Sequence, residues 1–129
     1  MLREHAIEFR VRYKETDAQG RVHHANYFTY FEMGRVEQLR AAGYDYRQLE
    51  AEGVLLVIHK VTCHFRIPAA YDDLVRLTTR IVRITPARIE HEYRLEREGT
   101  LLATATSVLA CVNREGQVRR MPDWMIVED

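Results

Sequence analysis

Asp17, His23 and His24 are the residues of this chain whose types and spacing are suited to chemistry. They lie in VRYKETDAQGRVHHANY, residues 11–27. Asp17 opens an Asp-x-x-Gly turn that ends at Gly20, and the two histidines stand just ahead of a helical pattern. The first turn of a helix presents unpaired backbone N–H groups at the positive end of its dipole, where a developing oxyanion is stabilised. A carboxylate beside such a site attacks a carbonyl carbon or activates water. Together these are the parts for transfer of an acyl group to water. Taken singly, the same residues also fit an Asx-turn and a helix cap.

Several elements must hold these residues. Residues 5–13 alternate, with Ile7, Phe9, Val11 and Tyr13 on one face and Glu8, Arg10 and Arg12 on the other, which predicts a half-buried strand. Residues 26–42 change to helical spacing, with Phe28, Phe31, Arg35, Leu39 and Ala42 on one stripe widened by Tyr27, Met33 and Val36. Asn26 is the predicted N-cap and Gly43 the stop. A short helix is expected over 45–52. Strand patterns follow at 54–58, 60–66, 74–85, 89–97 and 101–112, with a hairpin at Glu98-Gly99 and a short last strand at 118–121. The pattern at 101–112 is apolar or small on both faces, which marks an inner strand. One helix cannot cover both faces of such a sheet, so the other face is either solvated or covered by a second subunit, and the apolar content favours the second subunit.

The chain has 129 residues and fits one domain, 1–129. Its 19 basic and 19 acidic side chains cancel, which argues against a nucleic-acid binder and does not oppose self-association. Seventeen of the basic residues are Arg, a side chain whose planar fork suits phosphate and carboxylate. Cys63 and Cys111 form no CxxC pair, and no apolar run approaches the length of a membrane span or leader, so a cytoplasmic protein is expected. No metal site is expected, because His23 and His24 are adjacent, His59 and His64 differ in strand parity and the cysteines lack ligand-spaced neighbours. No G-x-S-x-G elbow and no Gly-rich phosphate loop occurs.

The motif YxETDxxGxVxHANYxxxFE, from Tyr13 to Glu32, resembles the signature of the hotdog-fold acyl-CoA thioesterases in the 4-hydroxybenzoyl-CoA thioesterase/YbgC branch. LLVIHKVTCHFRIPAAYDDLV, from Leu55 to Val75, is similar to the same branch. The resemblance implies an α+β hotdog fold, a long helix wrapped by a curved antiparallel sheet of about five strands. It implies homodimers joined sheet edge to sheet edge, pairing further into homotetramers, with sites at the dimer interface. Asp17 matches the catalytic aspartate, used as nucleophile or general base. His24 matches the helix-start residue whose N–H holds the thioester oxygen, with Ala25, Asn26 and Tyr27 completing the oxyanion and positioning set. Tyr13 matches a tyrosine that hydrogen-bonds near the aspartate. Gln19 stands where the pattern often has Gly, a departure expected to alter the turn more than the activity. Glu32 matches the region where another hotdog branch carries a catalytic glutamate, although an ion pair with Arg35 or a partner arginine is the plainer reading.

The expected activity is acyl-CoA thioester hydrolysis, with no cofactor, since coenzyme A is part of the substrate. Arg83 and Arg88, around Thr85-Pro86, are candidates for its phosphates. The alternatives are a hotdog hydratase or dehydratase, whose site pattern the TDAQG turn does not match, and a non-catalytic acyl-CoA-binding module, against which the intact Asp17 argues. Acyl chain length is not legible.

Overall fold

A computed structural model describes residues 2–126. Five strands form one antiparallel sheet: β1 (Glu4–Arg10), β2 (Leu55–Phe65), β3 (Leu74–Ile84), β4 (Arg88–Arg97) and β5 (Thr100–Val112), in the order β1-β3-β4-β5-β2. The long helix α1 (His24–Ala41) packs on its concave face, and the short helix α2 (Tyr46–Ala51) follows. This is the expected hotdog architecture, α+β with a curved sheet. No helix among the described residues is long and apolar enough to cross a membrane.

Alternation builds β3 and β4 as expected. Leu77, Thr79 and Ile81 of β3 and Ile89, His91, Tyr93 and Leu95 of β4 point inward, while the intervening positions carry Arg, Glu and Thr. The Glu98-Gly99 hairpin joins β4 to β5, and β5 lies inside the sheet between β4 and β2. The two apolar runs at 54–58 and 60–66 are one strand, β2, whose register shifts at a bulge between Ile58 and Lys60. Because His59 sits in that bulge, simple parity does not carry from His59 to His64. The expected last strand is reduced to a single bridge between Val118 and Val112.

The first strand ends at Arg10, three residues short of the expected end. Val11 leaves the β3 ladder to exchange hydrogen bonds with Asp73 (N–H to carbonyl, 2.9 Å) and Asp72 (carbonyl from N–H, 3.0 Å), and Tyr13–Glu15 turn as a 3-10 helix. Helix α1 begins at His24, with His23 rather than Asn26 as its N-cap. Gly43 stops it as expected, at φ 91°. Its buried stripe is Tyr27, Tyr30, Phe31, Gly34, Gln38 and Leu39, which keeps Tyr27, Phe31 and Leu39 of the expected surface but displaces Phe28, Arg35 and Ala42. The displacement has a physical cause at Gly34. A Cβ there would lie 2.3 Å from Thr79 Oγ1 and 2.8 Å from Leu77 Cδ2, so the helix meets β3 through its glycine.

The interface between α1 and the sheet contains a polar layer. Arg35 Nη1 donates to the Tyr93 hydroxyl at 2.9 Å, and that hydroxyl shares a 2.5 Å hydrogen bond with Ser107. Beside it, His91 is 3% exposed and its Nδ1 has no hydrogen-bond partner. Burial, reinforced by the Arg35 charge, pushes its pKa down to about 3. The folded state therefore keeps His91 neutral while the unfolded chain takes up a proton below about pH 6.5.

Two outcomes follow for stability. Urea unfolding of Gly34→Ala is expected to show a loss of about 1–3 kcal/mol from overpacking, despite the better helix propensity of alanine; a gain would mean that the contact with Thr79 relaxes freely. In the wild type, His91 is expected to make stability fall as pH drops from about 6.5 towards about 3, by up to about 1.4 kcal/mol per pH unit. His91→Leu should flatten that slope in unfolding curves collected across the range, and an unchanged slope would assign it to other groups.

Candidate active site

The turn carrying Asp17 is a small hairpin closed by its own backbone. Thr16 bridges Val22, Asp17 N–H donates to the Arg21 carbonyl at 2.8 Å, and Gly20 N–H returns to the Asp17 carbonyl at 3.0 Å. Gly20 holds φ 79°, a left-handed conformation that favours glycine. Asp17 Oδ1 accepts the N–H groups of Gln19 (2.8 Å) and Arg21 (3.3 Å). The side chain is thus the Asx-turn acceptor that its context suggests, and this uses one oxygen. No hydrogen bond reaches Oδ2 among the described residues. Asp17 is partly exposed.

The hairpin is docked on two sides. Val22 N–H donates to the Ala69 carbonyl at 2.8 Å and Arg21 bridges Ala70, so the 67–73 segment forms one wall. That segment is itself held by Asp73, whose Oδ2 accepts Ala70 N–H at 2.8 Å and Arg97 Nη1 at 2.6 Å. On the other side, the Glu15 carbonyl accepts His23 N–H (2.9 Å) and the Asn26 side-chain amide (2.8 Å). Arg21, paired with Asp17, lies three residues before His24, at most about 10 Å of extended chain.

The helix start then distributes its donors unequally. His23 Nδ1 accepts Ala25 N–H at 3.1 Å, and its carbonyl accepts Asn26 N–H at 2.9 Å. The His24 N–H has no hydrogen-bond partner among the described residues. Within the set expected to form the oxyanion and positioning site, the His24 N–H is left free. Ala25 is spent on the cap, the Asn26 side chain on Glu15, and Tyr27 is buried with its hydroxyl accepting Ala69 N–H at 3.3 Å. The His24 ring is exposed and stacks on His23 at 4.2 Å.

Tyr13 is 77% exposed, and its ring meets Tyr71 edge-on at 5.6 Å. Its hydroxyl makes no hydrogen bond with Asp17; its carbonyl instead accepts Thr16 N–H and Oγ1. The expected strand would have aimed Tyr13 inward, and the 3-10 turn sends it out. Glu32 forms no ion pair with Arg35, whose guanidinium goes to Tyr93. Both line a groove of about 190 Å³ between α1 and β2, walled by Phe28, Phe31, Ile58 and Val61. Arg83 and Arg88 are exposed, without ion-pair partners among the described residues, and stand at the β3–β4 hairpin. That is about 30 Å along β3 from Leu74, beside the 67–73 wall. Burial raises the thiol pKa of Cys63 to about 11 and raises that of Cys111, so neither is an activated nucleophile.

Sequence reasoning missed Glu15. It is 5% exposed and accepts Arg12 N–H (2.8 Å), Arg12 Nε (2.9 Å) and the Tyr30 hydroxyl (2.9 Å). Burial pushes its carboxyl up, but the bonds from Arg12 and Tyr30 together outweigh this and hold it below the ordinary carboxylate range. Burial and the Glu15 carboxylate raise the Tyr30 hydroxyl, keeping it a donor.

A sequence profile for the thioesterase-like superfamily matches residues 11–127. The chain is 33% identical over 121 residues to the acyl-CoA thioester hydrolase YbgC of Escherichia coli, covering 92% of this chain and 90% of that one. It is 35% identical over 105 residues to the acyl-CoA thioesterase YbgC of Haemophilus influenzae, covering 81% and 77%. Among solved structures, the probable thioesterase of Bartonella henselae superposes with a TM-score of 0.88 at 35% identity, over 92% of this chain and 99% of that one.

Proposed function

The chain belongs to the thioesterase-like superfamily, and from that membership we propose that it is an acyl-CoA thioester hydrolase working through Asp17 and the start of α1. The observation that carries this reading is a matched pair of unspent groups: Asp17 Oδ2 and the His24 N–H. The N–H groups of Gln19, Arg21, His23, Ala25 and Asn26 around them are all spent on hydrogen bonds.

The chemistry follows from that pair. The thioester oxygen accepts the His24 N–H, reinforced by the dipole of α1, which carries no acidic residue in its first turn. Two routes are open to Asp17. Its free oxygen attacks the carbonyl carbon, giving a mixed anhydride that water then cleaves, or it takes a proton from a water that attacks instead. Either route places the developing negative charge at the His24 N–H and expels coenzyme A as thiolate. Thiolate leaves readily, so no general acid with a raised pKa is needed.

The site is completed by a second copy. Of the two sheet edges, β1 has seven residues and carries Glu4, Glu8 and Arg10, features that discourage pairing. The β2 edge has eleven residues with Val57, Ile58 and Phe65 exposed, and the groove beside α1 opens along it. An antiparallel two-fold pairing of β2 with its copy sets the Leu55 end of one strand against the Phe65 end of the other. The Asp17 hairpin belongs to the Phe65 end, because Tyr27 packs on Phe65 at 4.9 Å and bonds Ala69. Arg88 belongs to the Leu55 end, through the row Arg88–Ala110–Val57. The pairing therefore carries the partner subunit's Arg83 and Arg88 towards Asp17, where they would meet coenzyme A phosphates, while the acyl group enters the groove. Pairing of such dimers into tetramers would cover the outer face of β5, which this chain leaves partly open at Thr104, Val108 and Ala110.

Free-thiol release from butyryl-, octanoyl- and benzoyl-CoA tests the catalytic role. Asp17→Asn is expected to keep the fold and to lower turnover at least about 100-fold; wild-type rates would remove Asp17 from the mechanism. Val57→Asp, which lies outside the groove, is expected to shift light scattering towards monomer and to lower turnover about tenfold in parallel. A fully active monomer would contradict the shared site.

A further inference from the structure

Glu15 is the sole carboxylate buried among the described residues, and nothing in the proposed chemistry uses it. We infer that Glu15 is a positioning residue for hydrolysis: it clamps the Asp17 hairpin to the start of α1 and so sets the spacing between Asp17 Oδ2 and the His24 N–H. The inference rests on the hydrolase reading above.

The clamp works through both halves of the residue. Oε1 accepts the Arg12 N–H and the Tyr30 hydroxyl, and Oε2 accepts the Arg12 guanidinium. These bonds tie the strand exit at Arg12 to the buried face of α1. The Glu15 carbonyl accepts the His23 N–H and the Asn26 amide, tying the same residue to the helix cap. Asp17 is two residues downstream of Glu15, and His24 directly follows His23. Glu15 is the one residue through which Arg12, Tyr30, His23 and Asn26 are all joined among the described residues.

A packing role alone does not account for this residue. A buried carboxylate forfeits its hydration, and an apolar side chain of similar volume generally serves stability as well or better. Directional bonds to three groups give what an apolar residue cannot, a defined geometry. Geometry is what the site needs, since a displacement of about 1 Å between reacting groups can cost about 100-fold in rate. Glu15 does not line the groove, so its influence falls on the chemical step and not on capture of the acyl group.

The test compares kcat and KM for wild type, Glu15→Ala, Glu15→Gln, Tyr30→Phe and Asp17→Asn on the same three acyl-CoA substrates. Circular dichroism and light scattering on each variant establish fold and assembly. Glu15→Ala is expected to lower kcat about 30-fold with KM within about threefold, and Glu15→Gln to recover part of the loss because its amide oxygen still accepts. If Glu15→Ala does not fold, Tyr30→Phe removes one bond without opening space, and a fall in kcat of about three- to tenfold at constant KM is expected. Wild-type kcat in both Glu15→Gln and Tyr30→Phe would overturn the inference, as would a loss that follows only the folded fraction. If Asp17→Asn is inactive while those two match wild type, the positioning role alone fails. If Asp17→Asn is itself fully active, the hydrolase site is misplaced and the inference falls with it.

Discussion

A carboxylate withdrawn from water must be met by donors, and at Glu15 those donors come from two parts of the chain. Arg12 precedes the turn and Tyr30 lies two helical turns inside α1. Once both are engaged, the chain between them has little freedom. The hairpin at 16–22 closes on itself, the His23 N–H finds the Glu15 carbonyl, and α1 starts where that bond leaves it. The Asp17 hairpin and the helix start are therefore one rigid piece rather than a loop beside a helix. The wall at 67–73 is fastened to the same piece by Ala69 and Ala70 and stiffened by Asp73 with Arg97.

Within that piece, reactivity follows from which polar groups remain unspent. An aspartate in an Asx-turn and a histidine at a helix cap are ordinary structural devices, and both operate here. Asp17 uses only Oδ1, and His23 satisfies the donors of Ala25 and Asn26 but not of His24. The structural reading and the catalytic one are thus not rivals. The turn orients the carboxylate and the cap aims the remaining N–H. The sheet supplies the other asymmetry: one short charged edge, and one long edge with exposed apolar residues beside the groove.

Elements set by local pattern were legible in the sequence. The alternation of β3 and β4, the Glu98-Gly99 hairpin and the Asp17 turn depend on neighbours in the chain, and they stand where expected. Features decided by distant partners were not legible. Asn26 is a better intrinsic N-cap than His23, but its amide is drawn to the Glu15 carbonyl and the cap moves upstream. Helical spacing fits several stripes, and the close approach of Gly34 to Thr79 selects the one that is buried. Tyr13 continues the β1 pattern on paper, but the chain has already left the ladder at Val11 to bond Asp72 and Asp73. Glu15 was least visible of all. A glutamate in a charged turn reads as solvated, and its burial depends on donors from Arg12 and from Tyr30, which arrives from the helix.

The central claim is that one backbone donor, the His24 N–H, receives the charge that Asp17 generates on the thioester oxygen. Amide proton and nitrogen shifts of residues 24–27, recorded as a non-hydrolysable acyl-CoA thioether ketone is titrated in, address it directly. The His24 amide proton is expected to move furthest downfield, with Ala25 and Asn26 nearly unmoved because their N–H groups stay on His23. A dominant shift at Ala25 or Asn26 with His24 unmoved would contradict the account.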